Sequence, residues 1–194
     1  MEKRIITISR EFGSSGRTIG KLVAEHLGIR CYDAELIQKL AAESGFDENY
    51  VKEAGEYTPG GFLASAFTDR SFGPTNEDLL WKLQYRIIRE LAEKEPCVIV
   101  GRCGNYALRS RNDVIDLFIC ANMEDRIHRI MERYHFSEKD AINAIHSTDK
   151  RRKHYYENYT HQKWGSIDSH QMLLNVRRLG MDRTVEIIKQ LYNH

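Results

Sequence analysis

The chain has 194 residues, 41% hydrophobic and 29% charged, and a formal net charge of +1. That length supports one sizeable core, and the near-neutral balance argues against a bulk nucleic-acid binder. No apolar run approaches the roughly 20 residues that span a bilayer, and the opening Met1-Glu2-Lys3-Arg4 lacks the features of a secretory leader, so a cytoplasmic protein with no membrane partner is expected.

Residues 3–9 read KRIITIS, a β-branched run that suits a buried strand. A glycine-rich turn follows, made of Gly13, Ser14, Ser15 and Gly16. Ile19, Leu22, Val23 and Leu27 then share one face of a helix that Gly28 ends. Residues 29–32 form a second short strand, with Asp33 at its carboxyl end, placed to cap the helix that carries Leu36, Ile37 and Leu40. The stretch 44–76 holds Gly45, Gly55, Gly60, Gly61 and Gly73 with Pro59 and Pro74, and reads as an insertion of short helices and loops. A long helix is predicted over 79–94 and stopped by Pro96. Apolar strands are predicted at 97–100 (CVIV), ending in Gly101-Arg102, and at 114–120 (VIDLFIC). Charged helices follow at 124–134 and 140–156, then a last strand at 172–176 and a closing helix at 184–192.

Strands alternating with helices, with the clearest strands continuously apolar, predict a parallel sheet covered on both faces. Ligands of such sheets bind beyond the carboxyl ends of the strands. The glycine turn, Asp33, Arg102 and Ala121-Asn122 all fall on that edge. The cysteines, Cys31, Cys97, Cys103 and Cys120, form no C-x-x-C pair and read as buried reduced thiols. The histidines show no metal-ligand spacing. Trp81 with Tyr155, Tyr156 and Tyr159 reads as packing. Tyr159 and Lys163 also spell the Y-x-x-x-K of some reductases, but the glycine spacing is not G-x-G-x-x-G.

The turn between the first strand and its helix suits an anion: glycine lets backbone approach phosphates, and free N–H groups at the helix start point at them. Two registers on the pattern G-x-x-x-x-G-K-[ST] are open. In one, Gly16, Arg17 and Thr18 match G-K-[ST], and Glu11 stands at the first glycine. In the other, one residue away, Gly16 takes the lysine position. Gly13, Ser14, Ser15, Gly16, Arg17 and Thr18 are the candidate cradle for ATP phosphates, with Thr18 or a neighbouring Ser a candidate Mg²⁺ ligand. Arg126, Arg129 and Arg133 follow i, i+3, i+7 spacing, so they share a helix face on which an anion or a set of ion pairs would relieve repulsion. Lys150, Arg151, Arg152 and Lys153 fan around their helix and cannot all meet one ligand.

The segments ITISREFGSSGRTIGKLVAEHLGI, CYDAELI, VIVGRCGNYAL, ANMEDRIHRIMER, DKRRKHYY and MLLNVRRLGMDRTVEII resemble the cytidylate kinase-like family of P-loop nucleoside monophosphate kinases. The resemblance runs from about residue 3 to the end and is weakest over 44–76. It implies a single P-loop kinase domain over 1–194, an α/β fold of three α/β/α layers around a five-stranded parallel sheet. It also implies a helical insertion for the acceptor, near 44–78, and an arginine-bearing lid, near 124–160. It further implies ATP and Mg²⁺, a small phosphorylated acceptor, and no nucleic-acid partner. Under it, Arg17, Arg126, Arg151 and Arg152 are the catalytic candidates, Arg129 and Arg133 belong to the lid, and Asp33 and Arg102 bind the acceptor. Cytidylate kinases carry D-G-R after the third strand, where this chain has Val100, Gly101 and Arg102.

Overall fold

A computed structural model describes residues 4–54 and 76–193. Strand β1 (Ile5–Arg10) is buried along its whole length and forms the middle of the sheet. Helix α1 (Gly16–Leu27) follows and ends at Gly28, whose φ of +66° lets its N–H reach back to the carbonyls of Ala24 and Glu25. Next come β2 (Arg30–Tyr32), α2 (Ala34–Ser44), α3 (Glu48–Ala54) and α4 (Asn76–Lys94). Strand β3 (Cys97–Val100), α5 (Gly104–Ala107) and β4 (Val114–Cys120) lead to two helices, α6 (Met123–Tyr134) and α7 (Glu138–Thr160). The chain closes with β5 (Met172–Asn175), α8 (Val176–Leu179) and α9 (Met181–Asn193).

The five strands pair in parallel in the order β2-β3-β1-β4-β5. One face packs Ile6, Ile8, Val98 and Val100 against Ile19 and Val23 of α1 and Val185 and Ile188 of α9. The other packs Ile5 and Ile99 against Leu36 and Leu40 of α2 and Ile87, Ile88 and Leu91 of α4. These are the three layers predicted from the apolar strands. A buried polar chain crosses the second face: Thr7 Oγ1 donates to Asp116 Oδ1 at 2.8 Å, and His170 Nδ1 lies 3.0 Å from Asp116 Oδ2.

Several boundaries move. Helix α7 starts at Glu138 rather than 140, because the Ser137 side chain accepts from the Asp140 N–H and caps the first turn. Val176, read as the end of the last strand, opens α8. Asp33 stands at the N-cap position of α2, but its side chain makes no capping bond. Of the predicted insertion, the end of α2, α3 and the start of α4 are seen, and 55–75 lie outside the described residues.

Candidate active site

Strand β1 stops at Arg10 and α1 starts at Gly16, so residues 11–15 must turn the chain sharply at the carboxyl edge of the sheet. Gly13 takes φ +82° and Ser15 φ +68° to do so. Ser14 is fully buried and its hydroxyl donates to the Glu11 carbonyl at 2.9 Å, so it braces the loop from within. Ser15 makes no side-chain capping bond and the first turn of α1 holds no acid. The N–H groups at the start of α1 therefore face the loop mouth as donors for an anion.

Helices α6 and α7 lie against this loop, with Phe12 packed beside Ile130, Ala141 and Ile145. Arg126, 4% exposed, donates from Nε to the Phe12 carbonyl at 2.7 Å, pairs closely with Asp149 and lies 3.4 Å from Glu11. Asp149 in turn accepts from the Phe12 N–H at 2.8 Å, and Glu11 accepts from the Ala121 N–H at 3.1 Å. Burial pushes the Glu11 carboxyl up, against the opposing pull of Arg126 and the Ala121 N–H. Arg129 Nη1 donates to the Gly13 carbonyl at 2.5 Å, and Arg152 Nη1 to the Arg10 carbonyl at 3.0 Å. Helices α6 and α7 form an arm whose arginines grip the backbone of the loop.

Between loop and arm lies a cavity of about 240 Å³. Arg10, Gly13, Ser15, Gly16, Arg17 and Thr18 line it from the loop, and Arg129, Arg133, Tyr134 and Arg152 from the arm. Phe12 and Tyr134 stack at its side with ring centroids 6.0 Å apart. Arg126 and Arg151 do not line it. Arg126 is locked into the joint behind it, and Arg151 is half-buried elsewhere on α7. Equal helical spacing therefore hides unequal roles for Arg126, Arg129 and Arg133.

Arg17 turns its guanidinium to Asp33, which is 3% exposed. Asp33 follows β2 by one residue and Arg102 follows β3 by two, so neighbouring strands present them on one edge. Arg102 has φ +57°, is 2% exposed, and directs Nη1 to the Val51 carbonyl of α3 at 3.5 Å. Its own carbonyl accepts from Gln84 of α4 at 2.9 Å. Tyr159 of the Y-x-x-x-K run stacks on Trp81 at 4.7 Å and 12°, a packing contact.

Residue spacing does not reach three participants: Arg10, Glu11 and Asp149. A signal existed for the first, since a cation ending a buried strand at the ligand edge is the same oddity that marks Arg102. Glu11 and Asp149 are recognisable only once Arg126 is seen buried between them.

Among the described residues no group of three or more His, Cys, Asp or Glu side chains could hold a metal, and no helix is long and apolar enough to cross a membrane.

The model of the cytidylate kinase-like family matches residues 5–178. A cytidylate kinase of Archaeoglobus fulgidus is 28% identical over 190 residues, covering 94% of this chain and 91% of its own. One of Pyrococcus horikoshii is 22% identical over 194 residues, covering 100% and 90%. A crystal structure of an uncharacterized protein from Eubacterium ventriosum is 28% identical, with a TM-score of 0.76 and 98% of each chain covered. A shikimate kinase from Bacteroides thetaiotaomicron, 16% identical, reaches a TM-score of 0.58 over 98% of this chain and 99% of its own. At that identity it shows the fold alone: the three-layer α/β/α arrangement of the P-loop kinases. With nine-tenths of its length matched by one family model, the chain belongs to the cytidylate kinase-like family.

Proposed function

We propose that the protein moves the γ-phosphoryl group of ATP to a small phosphorylated acceptor, a CMP-like nucleoside monophosphate. The observation that carries this reading is the cavity where the first turn of α1 and arginines from two separate parts of the chain converge. Phosphoryl transfer asks little covalent help of a protein. It asks for in-line positioning and for positive charge around the equatorial oxygens. Backbone N–H groups of Gly16, Arg17 and Thr18 would receive the donor phosphates. Arg129, Arg133 and Arg152, held on the arm, would face the transferring group and shut out water. Arg17 with Asp33, and Arg102 beside them, would orient the acceptor.

The residues present fit a Mg²⁺ that arrives with ATP rather than one caged by protein. Thr18 lines the cavity and Asp33 is a buried carboxylate on the same edge of the sheet, with phosphates and water left to complete the shell. When bound, the ion would neutralise phosphate charge.

The test is coupled ADP release with Mg²⁺ and ATP over a panel of nucleoside monophosphates. The expected result is turnover that is highest with a pyrimidine monophosphate; no ADP above background with any monophosphate sinks the proposal. Arg17→Ala should lose turnover with its fold intact, and full activity in that variant would remove Arg17 from the site. Arg133→Ala should lower kcat by about 10³-fold, the scale of an arginine that acts on the transferring group. A different small acceptor is the second reading. Val100 favours it, since its side chain is buried beneath Gly20 of α1 at the position where cytidylate kinases carry aspartate.

A further inference from the structure

The loop departs from G-x-x-x-x-G-K-[ST] at several positions, and the departures fit one another in space. Backbone conformation selects between the two registers. Glycine is needed where φ is positive, and Ser15 has φ +68° while Gly16 begins α1. Ser15 therefore stands at the second glycine, Gly16 at the lysine and Arg10 at the first glycine. A Cβ on Gly16 would lie 2.6 Å from Arg10 Cβ and 3.0 Å from its Cγ. A side chain at 16 and the arginine stem at 10 compete for one volume. Arg10 is 4% exposed, ends the central strand, and lines the cavity that also holds Thr18, Arg129, Arg133 and Arg152.

We propose that Arg10 binds the β- and γ-phosphates of the nucleoside triphosphate, supplying from the end of β1 the charge that the pattern's lysine supplies from the first turn of α1. Gly16 is then small because Arg10 fills the space. This rests on the kinase reading and deepens it. A guanidinium offers phosphate oxygens two N–H groups in a fixed fork, where an ammonium offers a point charge. Arg17, the other candidate for the lysine's part, is directed to Asp33.

Binding of MgATP and of AMP to the full chain, measured by calorimetry, tests this, with circular dichroism to confirm folding. In Arg10→Gln the ATP-to-AMP affinity ratio should fall about tenfold or more, because AMP lacks the phosphates in question. A purely structural role would weaken both ligands alike. Gly16→Lys alone should bind ATP poorly, and Arg10→Gly with Gly16→Lys should regain most of the affinity. An Arg10→Gln protein that keeps its ratio within about twofold overturns the proposal. Where Arg10→Gln does not fold, the paired variant decides: binding no better than Gly16→Lys overturns it. A wild-type chain that binds no MgATP is a different failure, which removes the kinase reading and this inference together.

Discussion

Arg126, Arg129 and Arg152 all reach the phosphate loop from the arm, and each closes a different carbonyl: Phe12, Gly13 and Arg10. Arg126 is paired in a buried setting with Asp149 and lies close to Glu11. Removing one partner of such a set leaves a charge with no compensation, at about 3–5 kcal/mol. Arg126→Met should lose stability on that scale in urea unfolding, and adding Asp149→Leu should recover part of it. If Arg126→Met unfolds like the wild type but loses turnover, the residue belongs to the chemistry instead. The thiols give a second residue-level expectation. Burial pushes Cys97 up to about 12 and Cys31 up to about 11, and Cys103 is 1% exposed. Iodoacetamide at pH 7.5 should leave these three unmodified in the native chain and alkylate them in denaturant, as read by mass spectrometry, because the thiolate is the reactive form. Sequence shows that arginines crowd 126–152, since charge is legible letter by letter. Which of them turns inward is not, because that depends on acids as distant as Glu11 and Asp149.

At the scale of elements, the close approach of α1 to the sheet depends on Gly20. A Cβ there would lie 2.9 Å from Val100 Cγ2 and 3.3 Å from Ile8 Cδ1. Gly20→Leu should destabilise by about 1–3 kcal/mol as an overpacked core, seen as a lower Tm. Ser137→Ala should cost about 1 kcal/mol by uncapping α7, and should leave α1 unaffected. The strands were readable because CVIV is wholly apolar and VIDLFIC is apolar but for Asp116, and the helices because their apolar residues recur at helical spacing. Elements α5 and α8 were not, since four residues carry no period. Helix α5 is set instead by left-handed turns at Arg102 and Cys103, which no side-chain pattern announces. The cavity itself was half legible. Its loop wall follows from the glycines, whereas its arm wall depends on how α6 and α7 cross Phe12.

For the molecule as a whole, a ligand bound only by the folded chain raises stability by about 2.7 kcal/mol at a hundred times its Kd. Saturating MgATP should therefore raise Tm in scanning calorimetry; an unchanged Tm would count against nucleotide binding. The parallel sheet was readable as a class, but its order was not, because alternation of strands and helices does not say which strand takes the middle. That place belongs to the first strand made. Ile5 pairs with Cys97 and Arg10 with Ile119, so β1 has no sheet neighbour until β3 and β4 exist. During synthesis at about 5–20 residues per second, the strand waits roughly 5–20 s outside the ribosome with both edges unpaired. The nascent chain therefore exposes IITIS as a segment without a sheet partner for roughly the first half of translation, until β3 and β4 are made.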